Sequence, residues 1–458
     1  MKRLLFLLIL SACDDVDGAS SIQPETLTDT NPDPRIVEVE LVATTATHEY
    51  LPGKPADVMA FKDGARTGAA PSIPGPLLEA NLGDTVIVHF RNELSHATTI
   101  HWHGIRVPNA ADGTPVSQME VPPGGTYDYE FTAKDAGYFW YHPHMMGDVM
   151  IEAGLYAPIV VHDGLDLGVA ADRAFVLDDV KLEASGKLSD KTDNLDLMLG
   201  RMGNVVLING RQRPSITAAA GTRERWRFVT AANGRYFNLE LPGQMFRVIG
   251  WDGGLLPAPY ETSTLLIAPG ERYDVLVEIG DQPLELRTLH YDRGHDIPDP
   301  GPITLLSIDV GSPGPPPGAL PSSWGDVAPI PVSGTTPRRQ LVLREDDTVP
   351  NLPVFTINDE AFPNITPVPG TMNQIEVWEV VNMAEMDHPF HLHGMSFQAV
   401  DASGAPVGPR GWKDTINVPQ LETVRFAVRF DAPGRWMYHC HILEHAERGM
   451  MGELVVAP

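Results

Sequence analysis

Cysteine is nearly absent from this chain: its 458 residues include two, Cys13 and Cys440. A framework of several disulfides is excluded, and a thiol kept in so sparing a sequence calls for a particular use. Positive charge is scarce as well, with 33 Lys and Arg against 60 Asp and Glu and a net charge of -27. The acidic residues are spread through the chain, which excludes nucleic acid and anionic lipid as partners, since both need a basic surface. It describes a soluble extracytoplasmic surface instead. No apolar run beyond the N-terminus is long enough to span a membrane, and helical periodicity is rare. What remains is 43% hydrophobic and 20% charged, a globular chain with room for about three domains.

The first residues form an export signal. Met1-Lys2-Arg3 is a positive start, residues 4–10 are apolar, and Leu10-Ser11-Ala12-Cys13 resembles a bacterial lipobox. Residues 1–13 are therefore expected to be a signal peptide with Cys13 as the lipidated mature N-terminus, and the protein periplasmic or at the cell surface. The competing reading is an ordinary cleaved signal that loses Cys13. A polar stretch, residues 14–35, reads as a tether, and lipid is the only membrane contact expected.

Beyond it the chain is short strand-like runs broken by glycine and proline, 42 of each in the whole sequence. Asp84-Thr-Val-Ile-Val-His-Phe90 and Glu422-Thr-Val-Arg-Phe-Ala-Val428 are examples, and they predict an all-β class of sandwiches. A strand grammar recurs three times. NLGDTVIVHFRN (81–92) is echoed at 219–233 and 370–382; VPPGGTYDYEF (121–131) is echoed at 267–279 and 418–430. Three related domains are expected over 36–165, 166–310 and 338–458, with a Pro/Gly-rich linker at 311–337.

Ten of the sixteen histidines fall in four tight clusters: His101-Trp-His103, His142-Pro-His144, His388-Pro-Phe-His391-Leu-His393, and His439-Cys440-His441-Ile-Leu-Glu-His445. A single His-x-His pair is as readily a packed or surface pair as a ligand pair. On a strand, residues i and i+2 face one side, so each pair aims two imidazoles at one point, and four such pairs in one chain go beyond coincidence. In the last cluster Cys440 faces away from His439 and His441, so its thiolate and their imidazoles can serve different metals through a short covalent path. Zinc has no redox use for such a path. One thiolate, two imidazoles and a weak thioether make the blue-copper set, here Cys440, His388, His445 and Met450; the plain alternative for Met450 is a core side chain.

The four clusters, in this order, resemble the signature motifs of the multicopper oxidase family, with a likeness running from about residue 36 to 458. The resemblance implies three cupredoxin-like Greek-key domains and four coppers per chain. It assigns His388, Cys440, His445 and Met450 to a type 1 copper, and His101 and His391 to a type 2 copper. His103, His142, His144, His393, His439 and His441 fall to a type 3 pair. No ligand is missing. The family's cluster of three lies between first and last domains, which leaves the middle domain as a spacer. Asp112 and Glu444 match proton-relay positions, against plainer roles as a turn residue beside Gly113 and as an orienting partner of a ligand. Asp414, in Trp412-Lys413-Asp414-Thr415, matches a stretch placed beside the type 1 site, where it could accept a hydrogen bond from an imidazole or from a phenol or amine donor; a salt bridge to Lys413 or Arg410 is the alternative.

The expected reaction is laccase-like: one-electron oxidation of a donor with four-electron reduction of dioxygen to water, electrons entering through His445 in a monomeric enzyme. A thioether ligand favours easily oxidised phenols, aromatic amines, Cu(I) or Fe(II) as donors. A cuprous or ferrous metallo-oxidase is the enzymatic alternative, although the methionines do not form a Met-rich insert. A copper-binding protein without turnover would be expected to have lost ligands.

Overall fold

The computed structural model describes residues 22–458 apart from Lys191, Asp296, Pro298, Asp299, Ser323 and residues 347–353. The signal, Cys13 and the start of the tether lie outside the described residues. Strand Thr85–Asn92 shows how the sequence builds the rest: Val86, Val88 and Phe90 are buried while the residues between them are half-buried or exposed. Period-two burial of β-branched and aromatic side chains is what a sheet with one face on a core requires.

Among the described residues six sheets of four to six strands result, two in each third of the chain. The sequence repeat is a repeat of pairing. Thr85–Asn92, Arg223–Thr230 and Ile375–Asn382 each run parallel to an earlier long strand, Ile36–Leu51, Ala171–Val180 and Arg338–Asp346 respectively. Each also pairs antiparallel with a strand from the second repeated motif: Thr126–Thr132, Arg272–Glu278 and Thr423–Arg429. The partner sheet of the first sandwich carries His101–His103 and Gly137–His142; that of the last carries His388–Leu392 and Gly434–Cys440.

Each sandwich encloses its own apolar core, built around Trp102, Trp226 and Trp378 in turn. A further core straddles the first two, packing Tyr138, Trp140 and Tyr156 against Val176, Leu207 and Val229. An apolar seam of this kind joins the modules rigidly, since opening it would expose fully buried side chains.

Two expectations change here. The described part of the tether, from Ile22, is packed: Ile22 and Leu27 are buried, Leu27 N–H bonds Leu77 O at 2.8 Å, and Asn209 Nδ2 donates to Ile22 O at 3.0 Å. Its few apolar residues suffice to bind it down. Strand Ile303–Pro313 also continues past residue 310, and Val327 and Ile330 in the Pro/Gly-rich linker are buried, with Ile330 N–H on Gln398 Oε1.

Candidate metal centres

Strand register converges the histidine motifs. His101 lies opposite His142 in the first module, and His391 opposite His439 in the last. Residues directly across a ladder share a face, so each register step sets two motifs side by side. The two faces then interleave. His103 stacks on His391 with ring centres 3.8 Å apart and planes at 10°, and His101 lies 3.9 Å from His393. His439 Nε2 faces His393 Nε2 at 3.0 Å and His144 Nε2 at 3.3 Å. The His441 ring is 4.9 Å from His103 and 5.8 Å from His142. These eight imidazoles form one cage between the first and last modules.

Cys440 points to the other side of its strand, across from Phe390. Its Sγ lies 3.8 Å from His445 Nδ1, and the ligand atoms of His388, Cys440 and His445 are within 4.8 Å of one another. Ile442 N–H donates to Sγ at 3.3 Å, and His445 stacks on Phe355 at 3.9 Å. Met450 is buried in the same loop: its N–H donates to His445 O and its carbonyl accepts from Cys440 N–H.

Both groups fit metal. His101, His142, His391 and His439 each commit Nδ1 to a backbone carbonyl, of Asp112, Pro143, Asp414 and Cys440 respectively. Such bonds orient an imidazole and leave its other nitrogen as the ligand. Nε2 of His101, His142 and His391, Nδ1 of His103, and both nitrogens of His441 and His388 are buried without a hydrogen-bond partner. Buried polar atoms are rarely left so. Burial also drives His388 and His439 toward the neutral, ligating form, both down to about 3. It pushes the Cys440 thiol up, so a thiolate there needs a bound cation to stabilise it.

The carboxylates divide differently from expectation. Asp112 is buried, with Oδ2 3.2 Å from His393 Nδ1 and its carbonyl on His101 Nδ1. It is a turn residue as well: Gly113 holds φ +76°, and a Cβ there would collide with Ile100 O. Glu444 is fully buried, accepts from Asn233 Nδ2 at 2.7 Å, and leaves Oε2 without a partner. Burial pushes its carboxyl up to about 7, with Asn233 and Arg201 pulling the other way.

Asp414 is not at the donor side. Its Oδ1 lies 3.3 Å from His103 Nε2 and 3.5 Å from His391 Nδ1, inside the eight-histidine cage. The reason is chain direction: Leu392 N–H bonds Asp414 O, which ties the stretch to the end of the strand pointing at the cage. Lys413 pairs with Asp252 and Glu271, and Asp414 with neither Lys413 nor Arg410 but with Arg272. His445 is fully buried and its Nε2 bonds Met198 O at 2.9 Å.

The middle module is more than a spacer. Arg272 donates to both Asp414 oxygens at 2.6 Å, to Gly270 O and Asp252 O, and to Tyr138 O of the first module. Burial alone would raise the Asp414 carboxyl, but the Arg272 charge and its hydrogen bonds hold it well below the usual carboxylate range. Gly270, at φ +83°, presses backbone onto the cage, where a Cβ would meet His441 at 2.8 Å and His103 at 3.1 Å. Helix Asn194–Leu199 begins with an Asp193/Asp196 capping box and ends at Gly200. Two carbonyls of its last turn, which a helix leaves unpaired, accept from His445 and Arg293. None of these residues was singled out from the sequence. Arg272 had a signal there: the other two copies of its repeat carry Thr126 and Thr423 at the same place.

Three family models described as multicopper oxidase match residues 59–166, 178–286 and 334–458. The chain is 32% identical to a multicopper oxidase of Mycobacterium tuberculosis, over 84% of this chain and 81% of that one. Among solved structures it is similar to a Campylobacter jejuni multicopper oxidase described as a metallo-oxidase, with TM-score 0.83, 28% identity, and 95% and 94% of the two chains covered. It is equally similar to a Pediococcus acidilactici laccase, with TM-score 0.82, 31% identity, and 97% and 94% covered. The sandwiches are thus cupredoxin-like, and the cages fit copper.

Removing one partner from the buried Arg272–Asp414 pair leaves an uncompensated charge. Arg272→Met should lower the unfolding free energy of the copper-free chain by about 3–5 kcal/mol in a denaturant titration. Adding Asp414→Asn should restore part of the loss; equal stability of wild type and Arg272→Met would show the pair to be idle.

Proposed function

The chain belongs to the multicopper oxidase family, a copper-dependent oxidoreductase with dioxygen as acceptor, and on that premise we propose how its own residues divide a laccase-like reaction. When bound, copper supplies the redox chemistry, taking electrons singly from a donor and delivering four to dioxygen. His388, Cys440 and His445 would hold the type 1 ion, with Met450 as the weak fourth ligand. His101 and His391 would hold type 2. His103, His142, His144, His393, His439 and His441 would hold the type 3 pair.

The observation that carries this reading is the alternation at residues 439–441. Cys440 Sγ belongs to one cage, while His439 and His441 belong to the other. Two centres are thereby joined by covalent bonds through a single residue, which suits electron transfer between them and has no structural use. Copper-loaded protein should be blue, and Cys440→Ser should be colourless and unable to oxidise any donor. A copper-replete wild type without a visible charge-transfer band would sink the assignment.

Proton supply falls to Asp112 and Glu444. Glu444 holds a proton near neutrality at a carboxyl whose Oε2 is uncommitted. Asp112 bonds a cage histidine directly and accepts a hydrogen bond from Thr114 Oγ1 at 3.1 Å. Asp414, anchored by Arg272, orients His103 and His391 instead of meeting the donor. Losing a general acid typically slows its step about a hundredfold or more. Asp112→Asn should therefore slow reoxidation of fully reduced enzyme by dioxygen in rapid mixing, while reduction by the donor proceeds at the wild-type rate. An unchanged reoxidation rate in a fully copper-loaded variant would return Asp112 to a turn residue.

The donor is an aromatic or a metal ion; structurally similar proteins include both a metallo-oxidase and a laccase. Export and an anchor at Cys13 complete the proposal, on the lipobox-like residues 10–13. Cys13→Ala should move the oxidase from the membrane fraction to the soluble fraction with its activity intact, and a wild type found wholly soluble would rule the anchor out.

A further inference from the structure

Four cage imidazoles share one polarity: His101, His142, His391 and His439 turn Nδ1 outward to a backbone carbonyl. His103 is reversed. Its Nε2 faces Thr415 Oγ1 at 3.1 Å, and its Nδ1 is the buried nitrogen without a partner. A backbone carbonyl can only accept, so it settles the tautomer of the first four. A hydroxyl can donate or accept, so the groups around Thr415 determine His103.

Thr415 is 0% exposed and opens strand Thr415–Val418, directly across the ladder from His391. That register puts its side chain on the cage face. Its Oγ1 has three polar neighbours: Asp414 Oδ1 at 2.9 Å, His103 Nε2 at 3.1 Å and His391 Nδ1 at 3.1 Å. A hydroxyl has one proton to give and two lone pairs. His391 Nδ1 cannot take the proton, because the same nitrogen already donates to Asp414 O at 3.0 Å. The choice is between Asp414 and His103.

Arg272 decides it. Its fork donates to both Asp414 oxygens at 2.6 Å, the bidentate match of a guanidinium to an ionised carboxylate, which only accepts. A hydrogen bond to such an acceptor is roughly twice as strong as one between neutral groups. The opposite choice would turn lone pairs of Thr415 Oγ1 and His103 Nε2 toward Asp414 Oδ1, at 2.9 and 3.3 Å. Thr415 therefore donates to Asp414, and its oxygen accepts from both imidazoles. His103 carries its proton on Nε2.

We propose that Thr415 is a positioning residue of the cage: its hydroxyl, oriented by Arg272 through Asp414, holds His103 as the Nε2–H tautomer and so presents Nδ1 to the metal. The proposal rests on the oxidase reading for the identity of that metal, copper, and not for the hydrogen bonds. It also sets aside a competing grouping, since His103, His391 and Asp414 bring ligand atoms within 4.8 Å of one another. The nitrogens nearest the Asp414 carboxylate are His103 Nε2 and His391 Nδ1, and both carry hydrogen in this arrangement. One hydroxyl thereby links Arg272 of the middle module, Asp414 of the last and His103 of the first.

Neutron diffraction from copper-loaded crystals soaked in heavy water reads the chain directly. Deuterium is expected on His103 Nε2, and on Thr415 Oγ1 along the line to Asp414 Oδ1. Deuterium on His103 Nδ1 overturns the proposal. Copper retention reads it in solution. Val has nearly the shape of Thr without the hydroxyl, so a residue that only fills space is served as well by either. Thr415→Val should instead lose cage copper to a competing chelator about tenfold or more readily than wild type, the usual effect of removing a group that orients a ligand, with the blue band intact. Thr415→Ser should retain copper like wild type. Equal retention by Thr415→Val, or a Thr415→Ser as weak as Thr415→Val, overturns the role of the hydroxyl. A colourless wild type whose His103 carries deuterium on Nε2 upholds the hydrogen-bond chain and overturns the oxidase reading instead.

Discussion

The Arg272–Asp414 ion pair is the interaction on which the rest of the architecture turns. Five hydrogen-bond donors on one planar group reach three modules: Asp414 in the last, Gly270 O and Asp252 O in the middle, Tyr138 O in the first. A lysine could not do this, since its ammonium has neither the fork nor the reach on two sides. Because the pair is wholly buried, it is worth keeping only when every partner is in place. Its integrity therefore depends on correct docking of all three sandwiches, and the docking in turn holds His103 and His391 where they stack. Folding, module assembly and ligand geometry are one constraint here.

Around that pair the cage obeys a simple geometric rule applied twice. Antiparallel register sets His101 across from His142 and His391 across from His439, and period two sends Cys440 to the opposite face from both its neighbours. One strand, Gly434–Cys440, thus supplies the thiolate to one centre and leads an imidazole pair to the other. The low effective dielectric of this interior keeps imidazoles neutral and disfavours a bare thiolate, so the site is poised for a cation rather than for protons.

The two sides of the molecule differ in what they leave unsatisfied. On the cage side, idle nitrogens point inward at one another and await metal. On the thiolate side, both His388 nitrogens and Arg293 Nη1 are buried without a partner. The middle module closes both: Gly270 and Arg272 against the cage, and the last turn of Asn194–Leu199 over His445. A segment that supplies none of the assigned ligand histidines packs against both centres.

Much of this was legible in the residues alone. The all-β class followed from short alternating runs between Gly and Pro; the threefold repeat followed from recurring strand grammar and proved to be a repeat of strand pairing; the ligand clusters followed from i, i+2 spacing on strands. These are local properties, determined by chirality and the pleat within a few residues, so sequence determines them by itself. Asp414 and the supposed spacer were misplaced for the opposite reason. Which end of a strand points at which neighbour, and what covers a ligand, depends on contacts between residues far apart, such as Arg272 with Asp414 or Met198 with His445. Burial and long-range pairing are set only when the sandwiches dock, and that the tertiary structure alone decided.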